Sequence, residues 1–433
     1  MQPTRREFIA SAFSVGLVGS ALSHTIAAEP TLDKLDLFEA GAGGYAVYRI
    51  PGVVVTKRGT MLAYCEARKS ERGDWNTIDI LLRRSTDGGK TWDAPRKIAN
   101  VEGPKTKNPA ALAQKLANPD DVTYNNPLMI ADKSGAVHFL FCLEYMRCFY
   151  ARSDDDGLTF TKPVEITSTF EQFRSEYPWK VLATGPGHGI QLRTGRLLVP
   201  VWLSDGTEGH AHRPSWVSVI YSDDAGKTWK RGEFAARHSE ELVYPSETTA
   251  VELSDGRVML NIRSETAVHR RAVSISKDGA TGWSTPTFDQ ALPEPICLGS
   301  LQRISGKARG EKSRILFVNP DNLYSKRLQG SVEGKSRTNA DRQNLTLKLS
   351  YDEARTWAVK KALDPGVAGY ADLTVNPQSG AIFCLYERGG FDDVSTRTRY
   401  LTLARFNLEW LTDGKDSLIG TASGSERRSQ NKK

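Results

Sequence analysis

Short apolar runs alternate with clusters of Gly, Asp, Asn and Ser along most of the chain, and a continuous helical period is largely absent. The first group of runs reads as strands at 47–55, 60–67 and 78–84, with a short one near 95–98. One octet recurs between the runs. It reads Ser85-x-Asp87-x-Gly89-x-Thr91-Trp92, returns at 153–160 and 222–229, and decays at 276–283 and 350–357. Asp and Gly bend the chain, and an Asp carboxylate accepts nearby backbone amides, so the octet predicts a hairpin turn between strands. Asp87 and Asp155 are therefore turn residues rather than catalytic ones. The closing aromatic tucks beneath the turn, which gives Trp92, Trp229, Trp283 and Trp357 structural places. A four-stranded unit fits each period, and six units of about 65 residues fill 29–412. The predicted fold is all-β: a six-bladed β-propeller of four-stranded antiparallel blades, some without a recognisable turn motif.

Composition adds exclusions. With 433 residues, 39% hydrophobic and 25% charged, the chain is neither disordered, fibrous nor a multi-span membrane protein. The net charge of +7 is partly carried by the two ends, which leaves the body near +3. That is too little for a nucleic-acid-binding face and compatible with a small anionic substrate. Five cysteines, an odd number without C-x-x-C spacing, argue against a zinc site or a disulfide framework. Most lie in apolar runs, where Cys behaves as a small hydrophobe.

The first 28 residues stand apart. Thr4-Arg5-Arg6-Glu7-Phe8-Ile9 precedes an uncharged stretch that ends Thr25-Ile26-Ala27-Ala28. This resembles a twin-arginine export signal. A stretch of that length could also span a bilayer, but its Ser, Gly and Ala content makes it poorly hydrophobic. No Cys sits near the cleavage point for lipid attachment. The expectation is an exported protein, periplasmic or secreted, with no stable membrane span once the signal is removed.

Further motifs carry a resemblance. They are Tyr48-Arg49-Ile50-Pro51, Ala63-x-x-Glu66-x-Arg68, Thr184-Gly-Pro-Gly187-His188-Gly-Ile190, Glu247 with Val251 and Arg263, Arg342-x-Asn344, Gly369-Tyr370-Ala-Asp372 and Cys384-Leu-Tyr386-Glu387. In this order, over about 47–390, the chain resembles the sialidase (neuraminidase) family, and the octets resemble that family's Asp boxes. Asp boxes also occur on propellers with other functions, so they bear on fold rather than chemistry.

The resemblance implies a retaining exo-α-sialidase acting on sialylated glycans or glycoconjugates, without a cofactor. A sialic acid carries a carboxylate on its anomeric carbon, and guanidinium groups present planar forks to such an anion. By motif these are Arg49, Arg263 and Arg342, with Arg68 one strand over and Glu387 bracing Arg49. A carboxylate nucleophile would meet the substrate's own charge, whereas a neutral phenol would not. Sialidases are the tyrosine-using exception among retaining glycosidases. The resemblance assigns Tyr370 as nucleophile, Glu247 as its base and Asp74, in the loop after Arg68, as acid/base. Glu71 and Asp79 compete with Asp74, although Asp79 falls inside the next strand. Trp75 is open between walling the acyl pocket and being a plain loop aromatic. His188, set between glycines, reads as part of a tight loop, and His210 with His212 lacks partners at metal spacing.

Two stretches stay open. The segment 321–341 looks like a loop inserted before Arg342, and 103–123 is a Pro/Asn-rich excursion; either shapes the leaving-group side or is flexible. The polar, basic tail 413–433 reads as disordered. A trans-sialidase or a non-catalytic glycan-binding propeller shares the same motifs, and the oligomeric state is not legible.

Overall fold

The computed structural model describes residues 29–71, 73–207, 209–306, 311–391 and 397–418. The export signal at 1–28 and the tail beyond 418 lie outside these residues. The described chain is all-β, and its larger sheets, of four, five and seven strands, contain antiparallel groups of up to four consecutive strands. The first is Val47–Val55, Met61–Arg68, Ile78–Ser85 and Arg96–Lys97, within a few residues of the expected runs. Equivalent groups begin at Tyr124–Ala131, Val181–Thr184, Thr248–Glu252 and Ser300–Ser305.

The last two groups share one strand. Val359–Val375 pairs through its first half with Gln343–Ser350 and through its second half with Ile382–Gly390. The final group is completed from the other end of the chain, by Leu32–Glu39 against Thr398–Phe406. Residues 413–418 also belong to the packed body, beyond the boundary expected at 412. Asp416 is buried and accepts both Arg314 Nε and Nη2 at 2.7 Å, because the charge of buried Arg314 needs a counterion there. Among the described residues no helix is long and apolar enough to cross a membrane.

Met61–Arg68 and Leu197–Ser204 are buried at every position. The core explains this, since it lies between successive sheets and both faces of a sheet are covered. Leu128 and Leu140 of one group, for example, share a cluster with Leu182, Leu197 and Val199 of the next. The five cysteines are free and buried.

The recurring octets form side-chain-stapled turns. Asp224 accepts Thr228 N at 2.9 Å and Thr228 Oγ1 at 2.6 Å, while Ser222 Oγ accepts Gly226 N at 2.9 Å. Asp87, Asp155 and Asp352 bond their Thr partners in the same way. Gly226 has φ +87°, and a Cβ there would lie 2.2 Å from Tyr150 Oη.

The innermost strands meet on Asp372. This buried carboxylate accepts Val53 N at 2.9 Å, Ser300 Oγ at 2.9 Å and His188 Nδ1 at 2.7 Å, tying strands from distant parts of the chain to one point. Burial works against charge on His188, but Asp372 outweighs it and raises the imidazole's pKa. The pair's stabilisation is therefore full below the unfolded pKa of about 6.5 and fades as pH rises through the higher folded value. His188→Gln is expected to lose most stability near pH 5.5 and markedly less near pH 8.5. Urea unfolding of both proteins at the two pH values checks this, and a constant gap would contradict it.

Candidate functional site

A cavity of about 270 Å³ opens where the ends of the innermost strands converge. Arg49, Arg68, Asp74, Glu247, Arg263, Arg342 and Tyr370 line it, and Glu387 lies directly behind Arg49. All eight residues singled out in the sequence are thus brought together, from segments up to 338 positions apart.

Breaks in strand pairing create the floor. The ladder between Val47–Val55 and Met61–Arg68 is interrupted between Arg49 and Gly52, where Ile50 has φ 57°. The interruption frees Ile50 N to donate to Glu387 Oε1 at 3.1 Å, while Arg49 Nε donates to the same oxygen at 3.1 Å. A second interruption, between Ala368 and Ala371, turns Tyr370 N onto Glu387 Oε2 at 3.0 Å. Such bulges re-aim side chains. The device recurs one sheet on. Asn126, with φ 49° in an interrupted ladder and also followed by Pro, donates its backbone N–H to Glu66 Oε1 at 2.8 Å. Glu66 in turn accepts Arg68 Nε at 3.0 Å and Nη2 at 2.6 Å.

Tyr370 occupies the centre. Its hydroxyl donates to Glu247, whose oxygens lie 2.6 and 2.5 Å away, and accepts Arg263 Nη1 at 2.7 Å. Arg263 Nη1 is also bonded to Glu247. The guanidinium carbons of Arg49 and Arg342 lie 5.5 and 5.1 Å from the centre of the Tyr370 ring. Burial pushes the phenol's pKa well up; Arg263 works against the rise and Glu247 adds to it. Arg342 donates to Ile296 O at 2.7 Å and forms no ion pair among the described residues. The Nε atoms of Arg263 and Arg342 are buried without a hydrogen-bond partner.

Asp74 stands at the rim with its side chain 43% exposed, bonded to Arg68 Nη1 at 2.7 Å. The pocket's burial favours its neutral form, but Arg68 foremost, with Arg49, outweighs this and holds the carboxyl well below the usual range. Arg68 is therefore committed to Glu66 and Asp74, and much of its fork is spent on its neighbours rather than left for a ligand. The competitors of Asp74 are occupied elsewhere: Glu71 pairs with Arg397 at 2.5 Å, and Asp79 accepts Tyr45 Oη at 2.7 Å.

Several pocket residues escaped the sequence reading. Tyr145, Trp202, His212 and Asn126 form one wall. Asn126 and Tyr145 come from one group of strands and Trp202 and His212 from the next, and they share no motif. Glu66 stood in a motif with Arg68 but was given no role. Burial drives the pKa of His212 down to about 3, so its ring is neutral. Trp75 is buried and packs on Tyr145 and His212 at ring-centre distances of 4.6 and 5.3 Å, behind that wall. The 321–341 segment is held by backbone bonds, Arg337 N to Glu265 O and Gly334 N to Ala267 O, both 2.8 Å, and Asn339 reaches the pocket.

Repeated β-units that focus several guanidinium groups on a Tyr–carboxylate pair define a class of anionic-ligand sites on an all-β scaffold. Comparison with known proteins narrows it. The family of BNR repeat-like domains matches residues 59–384. A sialidase of Micromonospora viridifaciens is 30% identical over 394 residues, covering 88% of this chain and 55% of its own. A sialidase of Bacteroides fragilis is 31% identical over 343 residues, covering 75% and 56%. The chain thus spans little more than half the length of these two relatives. Among solved structures, the Hadza microbial sialidase Hz136 superposes with a TM-score of 0.66 at 26% identity, covering 87% of this chain and 69% of that one. The chain belongs to the BNR-repeat family, and its homologues there are sialidases.

Gly369 is required by the floor, because a Cβ there would lie 2.2 Å from Glu387 Oε2. Gly369→Ala is expected to lose about 1–3 kcal/mol of stability through overpacking. Gly366→Ala, where a Cβ would come no nearer than 3.4 Å to Asp364 Oδ1, should stay close to wild type. Thermal unfolding of the pair distinguishes them.

Proposed function

We propose that the protein is an exo-α-sialidase that releases terminal sialic acids from glycoconjugates with retention of configuration. The observation that carries the proposal is the Tyr370 hydroxyl, bonded to Glu247 and Arg263 while its ring lies between the guanidinium groups of Arg49 and Arg342. Arg49, Arg263 and Arg342 bind the substrate carboxylate, Glu387 fixes Arg49, and Arg68 sets the charge environment of Asp74. Glu247 removes the phenolic proton as Tyr370 attacks the anomeric carbon, and Arg263 stabilises the developing phenoxide. Asp74 protonates the leaving oxygen. It then takes a proton from the water that breaks the tyrosyl–sugar bond, and the phenoxide is reprotonated from Glu247.

Asp74 is ionised in the free protein, so it needs a reason to hold a proton at the moment of cleavage. A substrate carboxylate seated among the arginines supplies one. It offsets part of the positive field and displaces water, and both effects favour the neutral acid. We further infer that the strand groups are six blades closing into a propeller, with Leu32–Glu39 completing the last blade. The leader is read as a twin-arginine signal that sends the protein out of the cytoplasm. The sialidase names of the relatives support the substrate class.

Hydrolysis of a fluorogenic sialoside tests the reading. Tyr370→Phe should lower kcat by at least about 100-fold, since it removes the nucleophile. Asp74→Ala should lose about 100-fold or more on a sialyl-galactoside but much less on a sialoside with an activated aryl leaving group. Proton NMR should show the α-anomer of the free sugar first. Binding of sialyl-glycans without cleavage by the wild type would instead make the protein a glycan-binding propeller.

A further inference from the structure

Beneath the Asp74 loop lies a buried cation that the mechanism above does not use. Lys107 belongs to the 103–123 excursion, yet its side chain is only 2% exposed. Its ammonium donates to Trp75 O at 2.8 Å and Thr123 Oγ1 at 2.9 Å and forms an ion pair with Glu144 Oε2 at 2.8 Å. Each partner leads back to the pocket. Trp75 adjoins Asp74 in sequence. Thr123 donates its hydroxyl to Asn76 O at 2.7 Å, so a second carbonyl of the same loop is held. Glu144, fully buried, accepts Thr123 N at 2.6 Å through its other oxygen and immediately precedes Tyr145 in the pocket wall. The neighbouring Asn108 donates to Glu144 O at 3.2 Å and Lys180 O at 2.9 Å, which locks the excursion in place.

We infer that Lys107, with Glu144 and Thr123, is a positioning cluster that fixes the height and orientation of the acid/base loop relative to the pocket wall. A Lys–Glu pair removed from water is costly to build, and it is a weak route to stability compared with apolar packing. The three-way bonding has a geometric consequence that apolar packing lacks. It captures two backbone carbonyls of one short loop, on the residues immediately following Asp74. Arg68 restrains the same loop from the other side through Gly73 O at 3.0 Å and Asp74 Oδ1. Asp74 is thus clamped between a cation it touches and one it does not. An exposed acid with freedom to swing would spend little time within reach of a leaving oxygen, and small errors of position are heavily penalised in catalysis. This inference rests on the acid/base assignment of Asp74.

The test uses leaving-group dependence, which a merely structural role would not change. Lys107→Met alone would strand the buried Glu144 charge, so the primary variant is Lys107→Met/Glu144→Gln, which keeps the cluster neutral. Thr123→Val, close in volume and without charge, is the second. With circular dichroism confirming the fold, the double variant should lose about tenfold or more in kcat/KM on a sialyl-galactoside but no more than about twofold on an activated aryl sialoside. Thr123→Val should show the same split, reduced to a few-fold. Equal losses on both substrates, or none on either, in Thr123→Val would overturn the inference, as would a double variant that folds and shows no split. Asp74→Ala run alongside separates the two claims. If it splits the substrates and the cluster variants do not, only the positioning role falls. If it shows no split itself, the acid assignment fails and takes this inference with it.

Discussion

Everything at the site depends on bringing several guanidinium groups into one small cavity without letting their repulsion push the strands apart. The solution is local pairing with acidic side chains, all of which except Asp74 are held largely out of water. Arg49 is paired with Glu387, Arg68 with Glu66 and Asp74, and Arg263 with Glu247. The buried carboxylates Glu66 and Glu387 could not be left with empty oxygens, and the fold fills them with backbone N–H groups from the next strand. Asn126 serves Glu66, and Ile50 and Tyr370 serve Glu387. That is why strand pairing is interrupted where it is. An uninterrupted ladder would spend those amides on the neighbouring strand and leave the acids unsatisfied. Arg342 is the exception, with a carbonyl for a partner and a buried Nε without one. Of the pocket arginines it is therefore the one without a carboxylate partner among the described residues.

The same logic operates in the scaffold beneath the site. Asp372 does for the scaffold what Glu387 does for the site, gathering an amide, a hydroxyl and an imidazole from strands far apart in sequence. It sits two residues from Tyr370 on the same strand. Because side chains alternate along a strand, one segment sends Tyr370 and Asp372 to related positions, one among the arginines and the other into the central bonds. Position at the site and cohesion of the scaffold are therefore coupled through a few residues of Val359–Val375.

Much of this was legible in the sequence, for identifiable reasons. The runs at 47–55 and 78–84 are rich in buried apolar residues and bounded by strong turn chemistry, so their ends fell close to the observed strands. Of the eight site residues, Arg49, Tyr370 and Glu387 lie in motifs tied to the interrupted ladders at Ile50 and between Ala368 and Ala371. Other features had no local signal. Leu32–Glu39 is largely exposed and carries no clean alternation, so nothing marked it as the strand that pairs with Thr398–Phe406. Asp364-Pro365-Gly366 has the composition of a turn, yet it lies inside a 17-residue strand that changes sheets at that point. Tyr145, Trp202 and His212 meet only in three dimensions. Arg68 looked like a fourth carboxylate-binding fork, and its commitment to Glu66 and Asp74 shows only when the loop is folded back over it.

The pairing of Arg68 with Asp74 also bears on how one residue can serve as both acid and base. Taken alone, a carboxyl depressed so far is a poor proton donor. The depression is electrostatic, however, and produced by neighbours whose field an anionic ligand partly cancels. The arginines bind the substrate carboxylate, and the bound carboxylate relaxes their hold on Asp74. Once the leaving group departs and water enters, the solvated site and the persistent Arg68 contact again favour the ionised form, the state needed to accept a proton from water. A rigid loop makes this reversible change useful, because the proton's affinity for Asp74 varies between steps while the position of its oxygen does not.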